Sequence, residues 1–249
     1  MHIFALFLGA GASIGVWEVA RTANPHYTAK YVNASLLTLL AAGVGSRLVF
    51  VFLHWAYYRE RVSEVFQFWQ GGLSAPGALF GAFLAVALLS IYQDIPLPRL
   101  ADSLAPFLTP MGISVWLGCW AAGSAYGFEA SPDAWWVFLA SRVGEITTPR
   151  FPLQFTAALI LLILFALIEF KTEIKKIPGQ KACLMSLGIT CVYLGATFLM
   201  GDPAPRWLFW RPETWMAGSL ALTLLVVYAS TLYLYRKKSG SIKIIDPNP

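Results

Sequence analysis

Residues 102–127 read DSLAPFLTPMGISVWLGCWAAGSAYG, and the apolar part of this run, Phe107 to Tyr126, is long enough to cross a bilayer. Pro106, Pro110 and four glycines interrupt residues 102–127. Inside a membrane, a broken helix is tolerated only where it is buried in protein or lines a cavity. The stretch therefore predicts a broken transmembrane helix with a site beside it.

The rest of the chain also has the composition of an integral membrane protein. Of its 249 residues, 57% are hydrophobic and only 12% are charged, and the mean hydropathy is +0.62. A transmembrane helix needs about 20 apolar residues, and seven stretches approach that length: residues 3–20, 36–57, 73–92, 107–126, 153–170, 182–200 and 215–235. We predict an all-α integral membrane protein with about seven transmembrane helices.

The same pattern predicts one domain. Residues 1–236 form a single transmembrane bundle, and residues 237–249, which are charged and end in Pro-Asn-Pro, form a disordered cytoplasmic tail. Lysine and arginine are enriched in cytoplasmic loops. An amino terminus outside gives eleven of them inside and six outside, so we predict the amino terminus outside and the carboxyl terminus in the cytoplasm. The six outer arginines are Arg59, Arg61, Arg142, Arg150, Arg206 and Arg211.

The net charge of +5 does not indicate a nucleic-acid partner, because the basic residues cluster at predicted helix ends, where they anchor to anionic headgroups. The three cysteines, Cys119, Cys183 and Cys191, lie inside predicted helices without the spacing of a metal site or a disulfide framework. We expect no metal, no cofactor and no nucleic acid.

Six segments resemble motifs of the bacterial prolipoprotein diacylglyceryl transferases, in the same order along the chain. The segment 102–127 aligns with a family motif without a gap and keeps its frame, including Asp102, Gly118 and Gly127. The segment 71–81, GGLSAPGALFG, keeps Gly72 and Gly77. The other matches are Phe4-Ala5-Leu6 with Gly11, Gly45-Ser46-Arg47-Leu48, Arg150-Phe151-Pro152-Leu153-Gln154 and Leu194-Gly195-Ala196-Thr197-Phe198.

The resemblance implies a multi-pass protein of the bacterial cytoplasmic membrane. The family transfers diacylglyceryl from phosphatidylglycerol to the cysteine thiol of a lipoprotein precursor. A phosphatidylglycerol-like phospholipid is therefore the expected partner, together with a lipoprotein precursor or other membrane subunits.

The family's polar residues are mostly absent at the matching positions. Its chemistry needs a base for a thiol with a pKa of about 8.5 and cationic donors for the departing phosphate. Proline has no proton to give or take. The family's two histidines, two arginines, asparagine and glutamate are replaced by Pro76, Phe151, Trp116, Phe198, Cys119 and Ser124, respectively.

Two hypotheses stay open. The chain is either a transferase with a rebuilt site, or a non-catalytic lipid-binding or structural subunit of a membrane complex. Loss of the catalytic residues favours the second. For the first, Cys119 and Ser124 are the candidate nucleophiles, and either needs an adjacent base, for which His54 is the plausible helper.

Three retained polar residues are the candidates for binding a lipid phosphate. Arg47 lies midway along a predicted helix, where an arginine must face a cavity, a phosphate or a carboxylate. Its partner is a lipid headgroup, Asp102 or Glu145, and a structural ion pair is the alternative. Arg150 and Gln154 could hold a phosphate or a peptide backbone, while an interfacial arginine can also be a simple anchor.

Overall fold

The computed structural model describes residues 2–67, 71–140, 148–171, 177–204 and 206–245, with side chains from Ile3 to Arg236. Among these residues, seven helices are long and apolar enough to cross a membrane, which confirms the predicted all-α fold. In chain order the helices are α1 His2–Thr22, α2 Thr28–Leu53, the single turn α3 Trp55–Tyr58, α4 Ala75–Tyr92, α5 Leu97–Ala122, α6 Leu153–Phe170, α7 Gln180–Leu199 and α8 Pro212–Ile245.

Helix α5, which contains the opening stretch, is continuous, so the prediction of a broken helix is wrong. Pro106 and Pro110 lie inside it and each removes one backbone donor. Helix α1 fits tightly against this segment, because a Cβ added at Gly11 would lie 3.1 Å from the Pro110 carbonyl oxygen and 2.5 Å from Ser114 Cβ. Packing against neighbouring helices is what allows prolines inside a membrane helix.

The same helix lies between two apolar cores. It packs on α1 along one side and on α6 and α7 along the other. One core joins α5, α6 and α7 and contains Trp116, Leu161 and Phe165. The second joins α1, α2, α4 and the first half of α5 and contains Val19 and Leu100. Residues of the opening stretch are therefore held from both sides.

Helices α2 and α4 approach each other at glycines. A Cβ added at Gly77 would lie 2.6 Å from the Gly45 carbonyl oxygen, and one at Gly45 would lie 2.7 Å from the Gly77 carbonyl oxygen. A Cβ added at Gly81 would lie 3.2 Å from the Cα of the same Gly45. The close approach predicted from the four-residue spacing of Gly77 and Gly81 is confirmed.

The ends of α5 and α7 meet at one end of the bundle, where α6 and α8 begin. Two antiparallel backbone bridges connect Gly127 with Met200 and Glu129 with Arg150. We call this the outer end, because the loop charges predict that it lies outside, and the opposite end the inner end. Helix α8 packs mainly on α7. It continues to Ile245, so residues 237–245 are helical rather than the disordered tail that we predicted.

Candidate functional site at the outer end

Cys119 and Ser124 meet at the outer end of α5 because the helix ends there. Gly123 has a φ of 65°, a left-handed conformation that glycine adopts without strain. The Ser124 N–H donates to the Cys119 carbonyl oxygen at 2.9 Å, and the Ser124 hydroxyl reaches the same oxygen at 3.5 Å. Their contact is thus a product of the helix cap.

The base suggested for these two residues is engaged elsewhere. The His54 ring stacks on Phe50 with ring centroids 4.2 Å apart, and its Nδ1 lies 2.9 Å from the Phe50 carbonyl oxygen. Among the described side chains, no histidine contacts Cys119 or Ser124. Nucleophilic catalysis at either residue stays a prediction without the helper it requires.

Gln154 connects the first turn of α6 to the end of α5. Its side chain is fully buried, and its Nε2 donates to the Ser124 carbonyl oxygen at 2.9 Å. A buried side-chain amide needs hydrogen-bond partners, because leaving it without them is costly. This contact suits a structural link between two helices, and binding of a phosphate by Gln154 stays a prediction.

Arg150 lies beside the same loop. Its guanidinium sits 4.3 Å above the Tyr126 ring, its Nη2 is 3.5 Å from Glu129 Oε1, and its Nη1 reaches the Gly127 carbonyl oxygen at 3.5 Å. These are long contacts for charge-assisted bonds. Its Nε is buried and has no hydrogen-bond partner among the described residues. The unpaired Nε leaves Arg150 a candidate for binding a phosphate, and that role stays a prediction.

Arg47 is 2% exposed and is surrounded by backbone carbonyls. Its Nε donates to Val65 O at 2.9 Å and its Nη2 to Glu64 O at 2.6 Å, while its Nη1 donates to Gly71 O and to Gly72 O. We call this arrangement the Arg47 clamp. It ties the segment between α3 and α4 to α2. Asp102 is not part of it, and Glu145, the other predicted carboxylate partner, lies outside the described residues.

Asp102 lies at the inner end, far from the outer loops along α5. Its two carboxylate oxygens accept hydrogen bonds from the N–H groups of Gly179 and Ala182, at 2.6 and 2.9 Å. A carboxylate in this position satisfies otherwise unpaired donors of a helix and interacts favourably with the helix dipole. Asp102 therefore caps the amino terminus of α7.

The frame glycines lie where a side chain has no room. A Cβ added at Gly72 would lie 2.6 Å from the Phe50 ring, one at Gly118 would lie 2.9 Å from the Phe4 ring, and one at Gly127 would lie 2.5 Å from a carbonyl oxygen of the chain. Gly72 also has a φ of 74°. Close packing explains why these positions of the family motifs are still glycine.

Trp116 and Pro76 occupy two positions where the resemblance predicts an arginine and a histidine. Trp116 is 6% exposed and belongs to the apolar core between α5, α6 and α7. Pro76 is buried in the first turn of α4, beside Ser74, whose hydroxyl oxygen accepts from the Gly77 N–H at 3.4 Å.

Phe198, at the second position where the resemblance predicts an arginine, borders a cavity that the sequence did not predict. Its ring is 55% exposed and stands edge-on to Trp210, with centroids 4.9 Å apart. The cavity has a volume of about 280 Å³ and lies between the outer ends of α7 and α8, with Arg206 and Arg211 in its wall. The sequence signal was the run RWLFWR, residues 206–211, in which two arginines bracket four apolar residues.

A comparison with protein families assigns this chain to a family. The family model described as prolipoprotein diacylglyceryl transferase matches residues 1–235. The chain belongs to the prolipoprotein diacylglyceryl transferase family. The resemblance inferred from six short motifs is thereby confirmed over nearly the whole chain.

Individual relatives of that family are distant in sequence. The chain is 27% identical to a phosphatidylglycerol–prolipoprotein diacylglyceryl transferase of Bacillus licheniformis, over 96% of this chain and 90% of that protein. A relative with the same name from Lactococcus lactis is 24% identical, over 95% and 90% of the two chains. The Bacillus velezensis relative is 30% identical over 43% of this chain, and this match spans only 40% of that protein.

Family and fold together give the location. The named relatives are bacterial, and seven helices in the described residues are able to cross a membrane. The protein is therefore a multi-pass protein of the bacterial cytoplasmic membrane, as predicted.

Proposed function

We propose that this chain is a non-catalytic member of the transferase family that accommodates a phosphatidylglycerol-like phospholipid. The observation that carries the proposal is Trp116, which packs in an apolar core at a position where the resemblance implies an arginine. Stabilising the phosphate that leaves in the family reaction requires preorganised cationic donors. An indole in a dry core offers neither the charge nor access to a substrate.

The retained polar residues support the same proposal. The Arg47 clamp, the Gln154 bond to Ser124 and the Asp102 cap all use side-chain groups to hold backbone. A protein released from catalysis still needs these contacts, because buried polar groups of the backbone must be paired. We therefore expect such a protein to keep the residues that hold the backbone and to lose the residues that carry out the reaction.

Phospholipid accommodation has support of a different kind. The relatives are named for phosphatidylglycerol and prolipoprotein, and the family model matches residues 1–235 of this chain. Arg150 carries a buried Nε without a hydrogen-bond partner in the described residues. A phosphate oxygen is a suitable acceptor for such a donor.

Complementation in cells depleted of their own transferase tests the proposal. We expect no thioether-linked lipoprotein when this chain is produced, although the Bacillus licheniformis relative restores it in parallel. Equal membrane levels of the two proteins, measured by immunoblotting, serve as the control. Restoration by this chain would overturn the non-catalytic proposal.

The competing function is a transferase with a rebuilt site, which the family match over residues 1–235 favours. Restoration of lipoprotein modification would support it directly. In the absence of restoration, co-purification of the chain with a larger membrane assembly would identify it as a binding or structural subunit, and purification as a lipid-loaded single chain would identify it as a lipid-binding protein.

A further inference from the structure

The turn that connects α7 to α8, residues 207–210, exposes two large apolar side chains at its tip. Leu208 and Phe209 are each 83% exposed, and both neighbours in the turn are tryptophans. No residue of the turn carries a charge. Contiguous exposed apolar side chains mark an interaction surface more often than a surface that stays in water.

The backbone of this turn is well defined but unfavourable for the residue at its tip. The Trp207 N–H donates to the Trp210 carbonyl oxygen at 2.8 Å, and the Trp210 N–H donates to the Trp207 carbonyl oxygen at 3.2 Å. Leu208 has a φ of 59°, a conformation that glycine, asparagine and aspartate adopt more readily than leucine. A turn that only linked two helices would be more stable with one of those residues at this position.

Aromatic contacts fix the turn to the outer ends of both helices. The Trp210 ring stands edge-on to Phe198, in the last turn of α7, with centroids 4.9 Å apart, and stacks on Trp215, in the first turn of α8, at 5.8 Å. The Trp215 indole N–H reaches the Trp207 carbonyl oxygen at 3.4 Å. The tip therefore has a fixed position relative to α7 and α8.

That position is at a membrane surface. Both helices are able to span a membrane, so residues 200–211 connect their ends on the same side of it. Tryptophan is enriched at the membrane–water interface, and Trp207, Trp210 and Trp215 lie together at the base of the turn. At about 3.3 Å per residue, a two-residue tip reaches no more than about 7 Å beyond this base.

The apolar surface of the tip is continuous with side chains that face lipid. Phe198 and Leu199 at the end of α7 are 55% and 39% exposed, and Trp215 at the start of α8 is 49% exposed. Exposed apolar residues on spanning helices are in contact with the bilayer. The bilayer therefore already covers the surface next to the tip.

We propose that the turn is a membrane-inserting tip, in which Leu208 and Phe209 enter the apolar region of the leaflet at the outer ends of α7 and α8. The partner is the acyl region of that leaflet and not a particular headgroup. Transfer of two large apolar side chains out of water offsets the strained backbone at Leu208. Insertion holds the outer ends of α7 and α8 at a fixed depth, whether or not the chain is catalytic.

The experiment places a fluorophore at the tip of the full chain in phosphatidylcholine nanodiscs, which leave both membrane faces open to water. An environment-sensitive dye is attached to Phe209→Cys in a background where Cys119, Cys183 and Cys191 are alanine. Iodide quenches the dye from water, and a nitroxide on the lipid acyl chain quenches it from within the bilayer. Thermal unfolding of each labelled protein checks that the fold is kept.

Two reference positions calibrate the signal. Leu222→Cys labels a side chain that is 63% exposed, about 15 Å along α8 and so near the middle of a bilayer. Glu60→Cys labels a charged side chain that is 74% exposed, and it reports water. We expect position 209 to be quenched by the acyl nitroxide, with iodide quenching at least about fivefold weaker than at position 60, because an anion is excluded from an apolar phase.

A matched pair of variants tests the apolar character of the tip. Leu208→Asp and Leu208→Asn have side chains of similar size, and both tolerate a left-handed backbone, so neither should lower the unfolding temperature. With the dye at position 209, Leu208→Asp should raise iodide quenching several-fold, because a carboxylate is costly inside a bilayer. Leu208→Asn should raise it less.

Three outcomes would overturn the proposal. Iodide quenching at position 209 equal to that at position 60 would show that the tip lies in water. Protection of position 209 from both iodide and the acyl nitroxide would show that protein covers the tip, either a second copy or another chain. Equal iodide quenching in the Leu208→Asp and Leu208→Asn variants would show that charge at the tip is not excluded. Restored lipoprotein modification in cells would contradict the non-catalytic proposal alone and leave the tip unaffected.

Discussion

The Arg47 clamp and the α7–α8 cavity both contain arginine, but the arginine is buried in the first and exposed in the second. Arg47 belongs to a retained family motif, and backbone carbonyls of residues 64, 65, 71 and 72 enclose it. Arg206 belongs to no retained motif and lines an open cavity beside Phe198, where the family resemblance implies an arginine.

The contrast between these two arginines shows that a retained motif residue need not be one that binds a ligand. A motif residue can be kept because the fold needs it. An arginine inside a membrane is tolerated only when other groups pair with it. An exposed arginine in a loop does not have this requirement. Variants that remove one region's contacts without touching the other distinguish these two cases.

The largest effect is expected at the clamp. Arg47→Met preserves length and removes the donors to four half-buried carbonyl groups. An unsatisfied buried group costs about 1–3 kcal/mol. Water can pair part of these half-buried acceptors, so we expect the free energy of unfolding to fall by about 3 kcal/mol and not by the full sum. Reversible unfolding in mixed micelles measures this change.

Arg59→Met is the matched control for the clamp, because Arg59 is exposed and its contact with Glu60 spans 3.8 Å. Exposed ion pairs contribute little to stability. Equal unfolding of Arg47→Met and Arg59→Met would show that the carbonyl contacts do not stabilise the fold, and the contrast between the two regions would disappear.

An intermediate effect is expected where α2 and α4 touch. Gly77→Ala adds a Cβ that would lie 2.6 Å from the Gly45 carbonyl oxygen and 2.7 Å from Val49 Cβ. The two helices must separate, and such overpacking costs about 1–3 kcal/mol. The same unfolding assay should record a loss in this range, and protease cleavage of the segment between α3 and α4 should become faster.

Gly43→Ala makes the same chemical change on the same helix pair without the clash, since a Cβ at Gly43 meets nothing within 4 Å. Alanine is favoured over glycine in a helix by up to about 1 kcal/mol. Gly43→Ala should therefore be neutral or stabilising. A loss as large as that of Gly77→Ala would mean that helix packing at Gly77 is not the cause.

The smallest effect is expected at the cavity wall. Phe198→Leu removes the edge-to-face contact with Trp210, and such pairs contribute about 0.5–1.5 kcal/mol beyond the area they bury. We expect a fall in stability at the lower end of this range. Phe209→Leu, at a ring that is 83% exposed, should have no measurable effect in the same thermal unfolding assay. Equal effects of the two changes would show that the ring pair does not order the cavity.

Composition and spacing were sufficient to predict the class of fold. The seven apolar stretches correctly predicted seven membrane-spanning helices among the described residues, and the spacing of Gly77 and Gly81 predicted the close approach of α4 to a neighbouring helix. Both features depend on residues that are near one another in sequence. The predicted break in α5 was wrong, because whether a membrane helix can contain prolines depends on the helix packed against it. The tight fit of α1 at Gly11 against Ser114 is a tertiary contact that the local sequence of α5 does not contain.

The roles of individual polar residues were harder to predict for the same reason. Asp102 was recognised as part of a motif, but the donors it caps are those of Gly179 and Ala182, more than 70 residues later. The partners of Arg47 are carbonyls, which carry no side-chain signal in a sequence. Arg206 and Arg211 entered the sequence analysis only as two of the six outer arginines, and a turn between Trp207 and Trp210 places both in the wall of one cavity.

The unequal lengths of the helices have a consequence for the surrounding membrane. Helix α6 has 18 residues and α5 has 26, which correspond to about 27 Å and about 39 Å of axial rise. A hydrocarbon core is about 30 Å thick. The exposed apolar face of α6, which includes Leu159 and Ile163, therefore favours a locally thinner bilayer, at a cost of fractions of a kcal/mol per Å of mismatch. Headgroups beside α6 would sit deeper than elsewhere, and the protein would partition towards thinner regions of the membrane.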